Sequence, residues 1–160
     1  MRKYYKYNDE ENVICFLELD EELYCERAIY DIDGNFVSTN LTIEDEKYFL
    51  PEGSFIDCLE SLTQTTQKEF LDIWNKVTFP HLKNWDKLKI ELEIGQIINA
   101  NILCFYPQGI ILNIGQEFYA IADYGECKNK FGADKMHPNE KLEFTIGEFD
   151  NNNLWVKLKT

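Results

Sequence analysis

Histidine, glycine and cysteine are each too few or too scattered in this chain to build the sites they usually build. The two histidines are His81, ahead of a connecting segment, and His137, beside Pro138, and neither stands in a recognisable motif. The eight glycines are dispersed, so no Gly-rich phosphate loop is present, and neither Gly-x-Ser-x-Gly nor His-Glu-x-x-His occurs. Five cysteines (Cys15, Cys25, Cys58, Cys104, Cys127) form an odd, widely spaced set without a Cys-x-x-Cys pair, which argues against a disulfide framework and a zinc site alike. Acidic triplets lack the spacing of an EF-hand loop. No nucleophile with its base and no metal set emerges, so the chain reads as a non-enzyme needing no cofactor and no metal. Long apolar runs are missing too. Val13–Leu17 and Gly109–Leu112 fall far short of a membrane span, and the opening Met1-Arg2-Lys3-Tyr4-Tyr5 has no apolar stretch of the export type. The expectation is a cytoplasmic protein with reduced thiols.

Positive charge is scarce as well: 16 Lys and Arg stand against 29 Asp and Glu, a net charge of −13. Residues 1–79 carry 18 acidic and 7 basic side chains, so 11 of those excess negative charges lie in the first half. Such a surface repels phosphate backbones and attracts cationic proteins, with steering that can raise association rates by roughly 10 to 1,000-fold at low salt. The alternative is that acidity serves solubility alone.

What is present is a core. Hydrophobic residues make up 44% and aromatics 14% of 160 residues, enough for one ordinary domain or two small ones. In the first half, Val13–Leu17 and Leu23–Ile32 read as strands, Asp33-Gly34 as a tight hairpin turn, and Phe36–Thr39 as the returning strand. Tyr4–Tyr7 is expected to join this antiparallel sheet. Leu41–Ser61 reads as an irregular connection. Thr66 and Glu69 then have capping-box spacing ahead of Phe70, Ile73, Trp74 and Val77, the i, i+3, i+4, i+7 stripe of an amphipathic helix. Asp72 and Lys76 are spaced to pair on its wet side, and Phe79-Pro80 ends it.

Leu19-Asp20-Glu21-Glu22-Leu23-Tyr24 leading to Arg27, the Asp33-Gly34 hairpin, Pro51-Glu52-Gly53 and Gln67–Trp74 together resemble an uncharacterised family of small bacterial proteins. The resemblance covers about residues 13–77. Some of those relatives look like immunity proteins of bacterial toxin systems, which is the function the resemblance implies.

In the second half, residues 80–94 read as a linker passing into a strand, because Leu88-Lys89-Ile90-Glu91-Leu92-Glu93-Ile94 alternates. Gly95–Phe105, Gly109–Ile114, Glu117–Asp123, Lys141–Phe149 and Asn153–Lys159 read as five strands, with a longer connection over Tyr124–Asn139. The opening Gly95-Gln96, the turn before Gly109, the third strand through Asp123 and the acidic turn between the last two strands resemble the S-one type RNA-binding domain, an OB-fold. The resemblance implies stacking aromatics beside the first turn and a His after the third strand. This chain has Gln108 before Gly109 and Ala122-Asp123 near the expected His. Phe105, Tyr106 and Tyr119 are left as stacking platforms, with Lys128, Lys130 and Lys135 as phosphate contacts. Otherwise Phe105 is core, the two tyrosines are ligand-free barrel-surface residues, and the lysines are a solvated loop.

The expected fold is thus an acidic α+β domain over 1–79, a linker or strand over 80–94, and an all-β five-stranded OB-fold-like barrel over 95–160. The favoured partner is a basic protein toxin such as a nuclease, met by Asp20, Glu21, Glu22, Glu44, Asp45 and Glu46 with Tyr24 and Tyr48 as anchors. RNA on the barrel is the alternative partner, and pairing of a barrel edge with another chain is a third possibility. No membrane partner is expected.

Overall fold

Asp33 and Gly34 both adopt positive φ, 53° and 85°, as a two-residue hairpin turn requires, and the Asp31 carboxylate accepts the Gly34 N–H at 2.7 Å. That turn joins β3 (Cys25–Ile32) to β4 (Asn35–Ser38) in a computed structural model that describes residues 1–43 and 48–160. The chain divides into two compact units, Met1–His81 and Leu82–Thr160.

The first unit is an antiparallel sheet of five strands in the order β4-β3-β2-β1-β5, with β1 at Lys3–Asn8, β2 at Ile14–Leu19 and β5 at Thr63–Gln64. Helix α1 (Gln67–Thr78) packs on it. The Thr66 hydroxyl accepts the Glu69 N–H at 3.1 Å, giving one half of the expected capping box. The other half is not made. The Glu69 carboxylate accepts from Thr65 and Lys6 instead, which ties the helix start to β1. Phe70 and Trp74 bury themselves against Tyr4, Phe16 and Ile29, with Phe36, Ile73 and Val77 completing the packing. Cutting either aromatic to alanine removes about 3–5 kcal/mol. The expected Asp72–Lys76 pair does not form: Asp72 bonds Lys68 at 2.5 Å on the preceding turn, and the Lys76 ammonium lies 5.3 Å over the Phe36 ring.

The second unit is a closed barrel in the order β10-β8-β7-β6-β9. Its strands are β6 (Ile97–Tyr106), β7 (Gly109–Asn113), β8 (Ala120–Ala122), β9 (Lys141–Asp150) and β10 (Trp155–Lys159). Only β8 and β10 run parallel; the other four neighbouring pairs are antiparallel. Three strands in sequence, a crossing to β9 on the far side of β6, and a return of β10 between β9 and β8 make a five-stranded connectivity compatible with the OB-fold. Alternate residues, such as Ala100, Ile102, Leu142, Phe144 and Ile146, are buried. Helix α3 (Tyr124–Phe131) occupies part of the connection before β9, capped by Asp123.

Residues 80–94 do not form the expected linker and strand. Leu82–Glu91 is a helix, α2. The alternating run hid a helical stripe, Trp85, Leu88 and Leu92, while Ile90 and Ile94, which completed the alternation, are 83% and 65% exposed. Trp85 anchors α2, edge-on to Phe118 and Phe149 and donating to the Asn151 side chain at 2.8 Å. No helix among the described residues is long and apolar enough to cross a membrane.

Candidate functional site

The turn from β2 to β3 is built by its own first residue. Asp20 Oδ1 accepts the N–H groups of Glu22 and Tyr24, each at 2.9 Å, and the Asp20 N–H reaches the Tyr24 carbonyl at 2.9 Å. This wrapping forces Leu23 to φ +67°, a left-handed conformation disfavoured for a branched side chain. Burial of the Leu23 side chain offsets that strain. A neighbouring segment clamps the turn from outside: Phe55 N–H bonds the Leu23 carbonyl at 3.0 Å, and Ser54 Oγ bonds the Glu22 carbonyl at 2.8 Å. The result is a fixed projection carrying Glu21, Glu22 and a 37%-exposed Tyr24 into solvent. Glu21 also meets the Met1 amino group, which holds its carboxyl below the usual range.

Behind the turn lies a buried polar cluster. Arg27 meets Glu18 through two bonds, Nε to Oε1 at 2.8 Å and Nη2 to Oε2 at 2.6 Å, and the Tyr4 hydroxyl donates to Glu18 at 2.9 Å. The guanidinium lies 4.8 Å from the Trp74 ring centroid and 5.4 Å from that of Phe70. Burial, then the bond to Glu18, pushes the Tyr4 phenol up. Arg27 and Trp74, two residues carrying the first-half resemblance, are therefore core residues of this unit.

Of the other candidates in the first half, Glu44, Asp45 and Glu46 lie outside the described residues. Tyr48 is half-buried with its ring 5.4 Å from that of Tyr30. Tyr30 sits five residues beyond Cys25, about 17 Å along an extended strand, so Tyr48 and Tyr24 flank opposite ends of β3.

In the barrel, the turn between β6 and β7 depends on Gly109. Its φ is +152°, and a Cβ there would meet the Ala122 carbonyl oxygen at 2.5 Å. The side chains around this turn differ from those expected. Tyr106 and Tyr119 are 6% and 8% exposed, so neither is a barrel-surface residue, and neither offers a base an open ring face. Tyr106 leans toward Trp155 instead, with centroids 6.1 Å apart. Phe105 is half-buried and meets Tyr124 edge-on at 6.0 Å. Tyr124, 44% exposed at the start of α3, was hidden inside a stretch read as a connection. Lys128 and Lys130 are exposed on α3, Lys130 lying 5.2 Å over Phe131, and Lys135 pairs with Glu140 at 2.8 Å.

A groove of about 420 Å³ runs over the outer face of β8, β9 and β10, from Gln108 in the first turn to Asn153 in the last. OB-folds use the loops after the first and fourth strands for ligands. Here the charged lining is Asp123, Glu126, Glu148 and Asp150 against Lys157 and Lys159. Asp150 accepts the N–H groups of Asn152 and Asn153, and Lys157 pairs with Glu148 at 2.6 Å. This lining favours a cation over a phosphate backbone. Among the described residues no three His, Cys, Asp or Glu side chains stand close enough to hold a metal ion.

No protein-family model matches this sequence, and no curated protein does.

Proposed function

We propose that this chain is a protein-binding module for a cationic partner, acting in the bacterial cytoplasm as an immunity protein that neutralises a basic toxin such as a nuclease. The observation that carries the reading is the Asp20–Tyr24 turn. Its carboxylates and aromatic ring are held ready by Asp20, the buried Leu23 and the Phe55 and Ser54 bonds, so little ordering entropy is lost when a partner docks. Exposed carboxylates beside an exposed tyrosine suit a basic surface: the charges steer the encounter and the ring supplies contact area at low entropic cost. The acidic barrel groove supports the same sign of partner.

RNA on the barrel is the second reading, favoured by the connectivity and by Tyr124 beside Phe105. The two readings separate in a binding assay. A single-stranded RNA oligonucleotide should show no affinity at 0.15 M salt, whereas the product of a neighbouring toxin gene should bind and lose its toxicity. Tight RNA binding that weakens steeply with salt would reverse the order of the readings.

A further inference from the structure

A pocket of about 410 Å³ opens at the turn between β6 and β7, walled by Phe105, Pro107 and Gly109 on the turn side and by Asp123 and Tyr124 at the start of α3. Its walls are set before any ligand arrives. Gly109 is packed so closely on the Ala122 carbonyl that a Cβ would meet it at 2.5 Å, and Pro107 has a fixed φ. The Asp123 carboxylate is held by the Glu126 N–H, which its Oδ1 accepts at 2.8 Å. Tyr124 meets Phe105 at 76° with ring centroids 6.0 Å apart, a contact that covers at most one face of either ring. Tyr124, 44% exposed, therefore has ring surface to offer beside an exposed carboxylate.

The charge of the pocket has one sign. Its lining carries Asp123 and no lysine or arginine, in a unit whose residues are described throughout. Glu126 adds a second carboxylate in the first turn of α3 and lines the acidic groove, which adjoins the pocket at Gln108 and Asp123. In that groove Lys157 is paired with Glu148 at 2.6 Å, and the Lys159 stem lies across Gly147. Lys128, one turn beyond Tyr124, does not line the pocket. Aromatic surface beside a carboxylate holds a cation through the ring and the charge at once. A nucleobase would also find the ring, but its phosphates would face Asp123 and Glu126. Among cations a guanidinium suits the place better than an ammonium, because it is flat, weakly hydrated and forked toward a carboxylate.

We propose that this pocket takes an arginine side chain from a basic segment of a partner protein, its guanidinium stacked on Tyr124 and hydrogen-bonded to Asp123, with the segment continuing into the groove past Glu126. This is a second contact for the cationic partner of the proposed function, and it rests on that reading only for the partner being a protein. The pocket itself uses neither Glu21, Glu22 nor Tyr24.

The test is a titration of the ¹⁵N-labelled full chain with a capped heptapeptide of alternating glycine and arginine, followed at the Gly109, Tyr124 and Gly125 amides. These should shift and saturate. Asp123→Asn keeps a side-chain oxygen to cap α3 and removes only the charge, so it tests the contact without melting the helix. It should weaken the binding read at these amides by about tenfold, and Tyr124→Ala should do the same. The glycine–lysine counterpart should bind more weakly than the arginine peptide. The Glu21→Lys, Glu22→Lys, Tyr24→Ala variant should leave the response as it is, so a failure here is separable from a failure of the Asp20–Tyr24 reading. Unmoved amides, equal binding of the lysine peptide, or indifference to Asp123→Asn would each overturn the proposal. Shifts of the same amides with a single-stranded RNA oligonucleotide and not with the peptide would overturn it in favour of RNA.

Discussion

Glu18 and Arg27 face each other across β2 and β3 and form a two-bond ion pair inside the first unit, 1% and 10% exposed at their side chains. A pair this deep contributes less through its attraction than it costs when half of it is missing. Arg27→Met leaves the Glu18 carboxylate buried without its guanidinium and is expected to destabilise the fold by about 3–5 kcal/mol. Replacing both residues with methionine should cost clearly less. Urea midpoints of the wild type, the single variant and the double variant decide this, and a double variant as unstable as the single would contradict it.

Thiol chemistry should distinguish one cysteine from the other four. Cys58 is exposed, whereas burial raises the Cys15 thiol to about 12 and the Cys127 thiol to about 11, and pushes Cys25 well up. Thiolate is the reactive form, so at pH 8 a thiol reagent should label Cys58 quickly and the others only on unfolding. Mass spectrometry of the folded protein should find one adduct, and Cys58→Ser should abolish it.

Acid should loosen the join between α1 and β1. Bonds from Thr65 and then Lys6 hold the Glu69 carboxyl below its ordinary value of about 4.3. Its folded pKa is depressed, so its contribution is present above the unfolded value and is lost as pH falls through the folded one. Glu69 is partly exposed, so the effect is small. Melting temperature against pH should fall less below pH 4.5 for Glu69→Gln than for the wild type, and parallel curves would contradict the assignment.

Gly109→Ala puts a methyl group where the Ala122 carbonyl oxygen lies 2.5 Å away and imposes an L side chain at φ +152°. A loss of more than about 1 kcal/mol is expected, read from the denaturant midpoint of the barrel. An unchanged midpoint would mean that the β6–β7 turn is not as described.

The parts of the fold that could be read in advance were those with a local chemical signature. Thr66 caps α1 because a hydroxyl beside an apolar stripe has one geometric use, and Asp33-Gly34 turns because few other residue pairs tolerate positive φ twice. Where two periodicities overlapped, the reading failed. Leu88 and Leu92 fit both a strand and a helix, and Trp85, three residues earlier, decides for the helix. The site was less legible than the fold because exposure depends on tertiary packing. Tyr106 and Tyr119 look like surface tyrosines beside a turn yet are buried, while Tyr124, at the first position of α3, is 44% exposed. Asp20 resembles one acid among three, although its carboxylate shapes the turn and the exposed charges are its neighbours.

The most direct test of a cationic protein partner is affinity capture from the source cell, comparing the wild type with a Glu21→Lys, Glu22→Lys, Tyr24→Ala variant at low and high salt. The account predicts one basic, toxic protein held by the wild type, released by salt and lost with the variant. Capture of RNA or ribosomal components, or of the same basic protein by both chains, would contradict it.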